Sequence, residues 1–551
     1  MKLKGLNAKV LFLGAAIGAI AYFGIFPLVI LIVRSLLSNG NISFRAYQEV
    51  FSNPANLEAF KNTLVLGCGV VFLTTFIGVP LGWLLTRTDL PRAKRWQTLF
   101  SLPYIIPPYI GAIAWIELAN PKMGYLNRMF ETPIFNIYSM PGIIFVEGLF
   151  LYTFMLLATI TAMEQIDISY EEAAKMSGAS GCRVMWDITL PLIRPHLIAG
   201  AVLTFVATAA SFGVPAMIGM PKRIHVLTTK IYTLTQGYGD GISSATALSV
   251  ALMAIALVFL FLSGQLQKGG RVAMVGGKSA RRSLVSLGKW RKPIQLFLWV
   301  LAGFMILLPL STIFLTSLQK VYGRGFGFEN LTLHKYGYVL FEMKKTGRAI
   351  LNSLQLATIT ASIAIVIGTL VAYFRVKTKV KGRGVIDLLA TLPYATPGIV
   401  VALGLIIAFS GGFGLNLYNT MAILFVAYFV KYLSFSTRTS GAALEQIDPS
   451  LEEAGRMSGA GWTTILRTII FPLLKPALIA GWFLIFMPVL SELTMSILLF
   501  GPDTEVIGTV LYNLQAYDDP QAAAVLGVLI VAIVLGANAC VKMWTKGRYG
   551  I

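Results

Sequence analysis

The sequence predicts an all-α, polytopic membrane protein, and three observations predict it. The chain of 551 residues is 56% hydrophobic and only 13% charged, against roughly 25% charged residues in a soluble domain. Its apolar residues gather in runs of about 20, the length an α-helix needs to cross a bilayer. No polar region is long enough to build an extended soluble domain.

The apolar windows lie near 10–33, 63–86, 99–118, 142–163, 197–218 and 245–265, then near 295–317, 351–374, 386–409, 417–437, 478–499 and 523–541. The first follows Lys2, Lys4 and Lys9 as a secretory signal would. It is longer than a signal core and lacks a small-x-small cleavage site, so it reads as an uncleaved first span. Between the sixth and seventh windows lies a basic, Gly/Ser-rich linker. The expected organisation is a first domain of six spans (1–267), a linker (268–292) and a second domain of six spans (293–551).

Charge sets the orientation, because Lys and Arg concentrate in cytoplasmic loops. With both termini in the cytoplasm, and with Glu117 and Asp387 at their window edges counted with the adjoining loops, the inner segments carry 30 basic and 11 acidic residues, and the outer ones 14 and 11. The net charge of +21 is thus mostly a topology signal, and nucleic acid is not an expected partner; membrane lipid is. Cys68, Cys182 and Cys540 are far apart, no CxxC occurs, and His196, His225 and His334 are isolated. No metal centre is assigned.

The two halves are copies. Residues 164–200 align without a gap on 445–481, with 20 of 37 positions identical. Leu102-Pro103-Tyr104 and Pro107 match Leu392-Pro393-Tyr394 and Pro397, and Asn62-Thr63-Leu64 matches Asn352-Ser353-Leu354. The register changes from 290 to 281 between these blocks, so the first half holds nine extra residues around 118–141. Six spans is an even number, so both copies enter the membrane in the same sense, as a parallel repeat.

The best-preserved repeat segment is polar and lies between the fourth and fifth windows of each half, in loops 164–195 and 445–476. Loops ordinarily diverge, so a matched pair points to function. Ser169 is placed to cap a helix with Glu171 and Glu172 in its first turn, where acids favour the positive dipole end. Ala173 and Ala174 allow a partner to approach closely, and Gly178 ends the helix. Pro191 and Pro195 mark re-entry into the membrane. Such a helix, held between two spans, transmits a push from a soluble motor; a helix lying on the lipid surface would explain neither the duplication nor the paired acids. Glu171 and Glu452 individually read as solvated.

Glu172-Ala173-Ala174, Gly178 and Ile188-x-Leu190-Pro191 reproduce the EAA-x3-G-x9-I-x-LP signature, and here the chain resembles the permeases of bacterial ABC importers. Glu453-Ala454-Gly455, Gly459 and Ile469-x-Phe471-Pro472 keep the spacing and depart at Gly455 and Phe471. The resemblance covers nearly the whole chain. It implies a type I ABC importer permease fold with two pseudo-symmetric halves around a central pathway, in a bacterial cytoplasmic (inner) membrane. It further implies that Glu171–Gly178 and Glu452–Gly459 dock on two copies of a cytoplasmic ATPase. A periplasmic or lipid-anchored binding protein would deliver the substrate. No GxxxxGK[S/T] occurs, so ATP and Mg belong to the partner and the permease itself is not an enzyme.

Ionisable residues inside spans are costly and mark pathways or pairs. Glu147, Lys431 and Glu492 qualify, and Glu492 is the candidate to offer a carboxylate to a cationic or metal-bearing substrate. The alternative is a Lys431–carboxylate pair that only fixes packing. Fusion of two domains, with the SELTMSILLFGP stretch, resembles the ferric-iron uptake permeases. Thiamine, polyamine, aminoethylphosphonate and sugar-phosphate importers stay open, and an anion would be better served by Lys222, Arg223, Lys344, Lys345 and Arg348. Two readings of another class are an ion-coupled carrier and a channel. Thr235–Asp240 resembles a potassium filter, but its counterpart Leu514–Asp519 lacks the glycines.

Overall fold

The computed structural model describes residues 14–38, 41–167, 169–237, 241–268, 284–324, 327–378 and 383–545. The middle of the linker and residues 238–240 of the filter-like segment lie outside the described residues. The chain is helical almost throughout. In chain order the helices used below are α1 (Gly14–Ser35), α2 (Pro54–Arg87), α3 (Ala93–Tyr104), α4 (Pro108–Ala119), α5 (Met140–Gln165), α6 (Ser169–Met176), α7 (Gly181–Ala209), α8 (Leu227–Thr235) and α9 (Gly241–Lys268). They continue as α10 (Gly288–Ser317), α11 (Lys344–Lys377), α12 (Leu389–Ala395), α13 (Gly398–Phe409), α14 (Met421–Glu445), α15 (Pro449–Met457), α16 (Trp462–Leu490), α17 (Ile507–Asn513) and α18 (Pro520–Trp544).

Among the described residues, nine helices are long and apolar enough to cross a membrane, or eleven if each of two bent pairs counts as one span. The remaining expected span is α14, which has 25 residues and a polar stretch from Lys431 onward. The bent pairs are α3–α4, at 89°, and α12–α13, at 114°. Pro107 and Pro397 sit at the two bends in extended conformation, with ψ of 130° and 139°. A proline excludes its predecessor from helical geometry, so the repeated Leu-Pro-Tyr…Pro segments are the bends themselves.

The fifth and eleventh spans are placed differently from their apolar windows. The windows 197–218 and 478–499 predict helices through those ranges, but α7 and α16 begin back in the polar loops and stop at Ala209 and Leu490. Each contains a π turn, Met185–Thr189 or Leu466–Ile470, directly before the helix-interrupting prolines. A π turn inserts one residue into the helical ladder, and such turns are often found where function bends a helix. The apolar residues after Ala209 and Leu490 form short helices, Pro215–Gly219 and Ser496–Leu499, and all of these are buried. They are apolar because protein surrounds them.

The chain forms two compact units that draw on both sequence halves. One comprises residues 51–230 and 251–333, the other 1–50, 231–250 and 334–551. In the first, α10 of the second half packs on α4, with Phe304 edge-on to Trp115 at 5.4 Å. In the second, α1 of the first half packs on α13, where Phe409 meets Tyr22, Phe23 and Phe26.

The repeat extends to individual hydrogen bonds. Asn62 Nδ2 donates to the His225 carbonyl and the Leu227 N–H donates to Thr63 Oγ1, at 2.9 and 2.8 Å. In the other unit Asn352 Nδ2 donates to the Glu505 carbonyl and the Ile507 N–H to Ser353 Oγ, both at 2.9 Å. These bonds satisfy the backbone where α8 and α17 begin, which explains why Asn-Thr/Ser recurs.

Candidate functional site

The two matched loops form surface helices, α6 and α15. The cap is Asp167, two residues ahead of the expected Ser169: its Oδ1 accepts the Ser169 N–H at 3.0 Å. Asp448 does the same for Ser450 at 2.9 Å. These bonds from Ser169 and Ser450 hold both aspartates below the usual carboxylate range. At the other end Gly178 and Gly459 have φ of +84° and +78°. Their N–H groups bond the carbonyls of Lys175 and Arg456, and the next residues, Ala179 and Ala460, reach back to Ala174 and Gly455. This paired closure needs a left-handed residue, which is why glycine stands at both positions.

Glu171 and Glu452 are buried, 8% and 5% exposed, and not solvated as expected. Glu171 Oε1 accepts the Thr189 hydroxyl at 2.9 Å and lies 3.3 Å from Arg87, the last residue of α2. Glu452 accepts the Tyr373 hydroxyl at 3.2 Å and lies 3.7 Å from Lys377, the last residue of α11, with Arg456 at 3.6 Å. Arg87 and Lys377 occupy equivalent repeat positions. Each surface helix is therefore tied through a buried ion pair to the end of a span.

The outward residues are of a different kind. Glu172, Ala173, Glu453 and Ala454 are exposed. Beside them stand Tyr170 and Met176, 53% and 89% exposed, and Leu451 and Met457, 43% and 89% exposed. A methionine left bare at the same place in both copies suits an adaptable apolar contact. Ala174 and Gly455 are half-buried. A Cβ on Gly455 would stand 3.0 Å from Ile469 and 3.2 Å from Ile465. The equivalents in the first half are Ala174, Ile188 and Val184. Where the loop gains a methyl, the facing position loses one, so the departure from the signature at Gly455 conserves volume.

The in-span ionisable residues find local partners, although Glu147 Oε2 is left without a hydrogen bond among the described residues. Glu147 is fully buried on α5 and accepts the Ser211 hydroxyl. Lys431 donates to the carbonyls of Tyr394 and Thr396 where α12 breaks into α13. Glu492, read as lying within the eleventh span, sits two residues past the end of α16, buried. Its carboxylate accepts the N–H groups of Met495 and Ser496 at 3.0 Å and the Ser496 hydroxyl at 2.7 Å. Lys431 and Glu492 belong to one compact unit and Glu147 to the other. In repeat register Glu147 corresponds to Tyr428 and Ser211 to Glu492. The Tyr428 and Ser496 hydroxyls are 2.7 Å apart, so the second half joins its fourth span to the turn after its fifth by a hydroxyl–hydroxyl bond, with Glu492 accepting from the same Ser496 hydroxyl, where the first half uses a carboxylate–hydroxyl bond.

Sequence reasoning missed Arg87, Lys377, Tyr170, Met176, Leu451 and Met457. The recurrence of each pair in register was the available signal. Among the described residues, no group of three or more His, Cys, Asp or Glu is placed to hold a metal.

The family model described as binding-protein-dependent transport system inner membrane component matches this chain twice, at residues 78–269 and 364–546. The ferric transport system permease protein FbpB of Actinobacillus pleuropneumoniae is 24% identical over 97% of this chain and 78% of its own length. The Fe(3+)-transport system permease protein FbpB 2 of Haemophilus influenzae is 24% identical over 93% of this chain and 94% of its own. The molybdenum transport system permease protein ModB of Escherichia coli K12 is 29% identical over 40% of this chain and 97% of its own.

Proposed function

We propose, from the premise that this chain belongs to the family of binding-protein-dependent transport system inner membrane components, that it is the permease of an importer for ferric iron. Membership makes it a multi-pass ABC importer permease. It works with an ATPase and a substrate-binding protein and is not itself an enzyme. The further reading is that two copies of one ATPase bind α6 and α15 from the cytoplasm, where both termini also lie. ATP and Mg act in that partner. An extracytoplasmic binding protein delivers the iron.

One observation carries the coupling mechanism: each surface helix is fixed to a span by a buried ion pair, Arg87–Glu171 or Lys377–Glu452. Closure of the ATPase pair pushes on the exposed faces of α6 and α15. The push reaches α2 and α11 through these pairs, and α7 and α16 through the chain itself. The π turns in α7 and α16 give the spans a place to bend.

The ferric reading is supported by two relatives that match 97% and 93% of this chain and whose names specify that ion, whereas the molybdenum permease matches 40% of this chain. Two cations that would serve an anion are already engaged: Lys345 lies 3.7 Å from Glu505, and Arg348 lies 2.6 Å from Asp503. The test is reconstitution in liposomes with the partner ATPase and binding protein. Ferric-loaded binding protein should stimulate ATP hydrolysis and iron entry. Stimulation only by a molybdate- or sulfate-loaded protein would overturn the ferric assignment.

A further inference from the structure

The nine extra residues of the first half build a loop with a cluster the transport reading does not use. Asn127 knots the loop: its Nδ2 donates to the carbonyls of Asn120 and Phe135, and its Oδ1 accepts the Phe135 N–H. The N–H groups of Tyr125 and Leu126 bond the carbonyls of Glu117 and Leu118 at the end of α4. The loop thereby holds Tyr125 and Tyr138 within electrostatic reach of Glu117, and the residues after α10 add Tyr322, which contacts it directly. All four belong to one compact unit.

Glu117 is 3% exposed, at the edge of the third apolar window. Tyr322 donates its hydroxyl to Glu117 Oε1 at 2.9 Å. Tyr125 OH accepts from Gln319 Nε2 at 2.6 Å, and Tyr138 OH accepts from Asn120 Nδ2 at 3.3 Å. Burial, and with it the Glu117 charge, holds the phenols of Tyr322, Tyr125 and Tyr138 above their ordinary value. The negative charge of Glu117 thus reaches all three rings. Arg128 lies 5.5 Å over the Tyr125 ring and donates to the Gly323 carbonyl, closing the loop against the segment that carries Tyr322. The second half has Ile407 in place of Glu117 and lacks the insertion.

We propose that Glu117, Tyr322, Tyr125 and Tyr138 form a binding site for ferric iron, using one carboxylate and phenolate oxygens as ligands. This deepens the function proposed above and rests on it for the identity of the ion. Small hard cations take oxygen ligands. Oxygens on adjacent corners of an octahedron, about 2.0–2.1 Å from the ion, stand about 2.9 Å apart. That is the separation of Tyr322 OH and Glu117 Oε1, so the ion replaces the shared proton without moving either oxygen. Each phenol that binds releases one proton to solvent, and iron stays in the ferric state throughout. In the N-terminus-inside orientation the site lies on the outer side, where iron is handed over.

The test uses the full-length permease in nanodiscs, titrated with ferric nitrilotriacetate. Wild type should bind iron and show the visible tyrosinate-to-iron charge-transfer absorption. Tyr322→Phe, which removes one oxygen and keeps the ring, should reduce the band at least tenfold, as should Glu117→Gln. Thermal unfolding of the same samples distinguishes lost ligation from lost fold. Tyr125→Phe and Tyr138→Phe, measured where a Tyr322 variant unfolds, give the same reading. Absence of the band in folded wild type overturns the site, as does a band unchanged in folded variants. If the band is absent but ferric-loaded binding protein still drives uptake, the site fails and the ferric function stands. If the band is present but only another cargo is transported, the ferric function fails and the site stands as a metal site.

Discussion

Gly455 shows how a single methyl is managed between the two copies. Adding a Cβ there meets Ile469 at 3.0 Å and Ile465 at 3.2 Å, contacts tighter than packed side chains tolerate. Overpacking of this kind costs about 1–3 kcal/mol. Gly455→Ala should therefore lower thermal stability, and Ile465→Val in the same chain, which removes the Cδ1 methyl 3.6 Å from the added Cβ, should recover part of the loss. The first half already carries that combination, as Ala174 and Val184. A double-mutant cycle checks it; strictly additive effects would sink the compensation argument. Glu171 makes a larger demand. Its side chain and that of Arg87 are 10% and 6% exposed, so removing one partner leaves a buried charge less compensated. Glu171→Ala should cost about 3–5 kcal/mol, and adding Arg87→Leu should return part of it. Chemical or thermal unfolding of the purified permease reads both.

At the scale of the element, α6 and α15 divide their work between two faces. The buried face holds Glu171 or Glu452 against the spans, and the exposed face presents Met176 or Met457. Met176→Glu together with Met457→Glu should leave folding intact and reduce co-purification of the partner ATPase at least tenfold. Unchanged capture of the ATPase would show that the bare methionines are not the dock. The existence of these helices was legible in the sequence, because a duplicated polar segment with acids first and glycine last has a physical reading. The burial of Glu171 was not legible. Its partner Arg87 is distant in the chain, and a glutamate in a polar loop has the same composition whether it faces water or an ion pair. The ends of α7 and α16 were misplaced for a related reason. Hydropathy measures how apolar a segment is, and residues 215–219 and 496–499 are apolar through burial in protein. Only the proline-flanked π turns, which let each helix start inside its loop, explain the shift.

For the whole molecule, the repeat was fully legible, down to the Asn-Thr/Ser pairs that bond the starts of α8 and α17. The composition of each compact unit was not, since α1 and α10 pack with bent helices from the opposite sequence half. A periodicity of sequence does not say which copy a span will lie against. Orientation is a separate property, argued from the Lys/Arg bias, and Cys182 gives it a direct test. Cys182 is exposed and lies between Gly178 and the first π turn, close to the proposed ATPase dock. Cys68 and Cys540 lie within α2 and α18, so Cys68→Ser and Cys540→Ser leave Cys182 as the sole thiol. With both termini in the cytoplasm, a membrane-impermeant maleimide should label Cys182 in inside-out vesicles and spare it in intact spheroplasts. Bound ATPase should slow the labelling, because the dock and the thiol share one loop. Labelling from the outside would invert the entire topology. It would then place α6 and α15 beyond the reach of a cytoplasmic ATPase and so overturn the coupling mechanism proposed above.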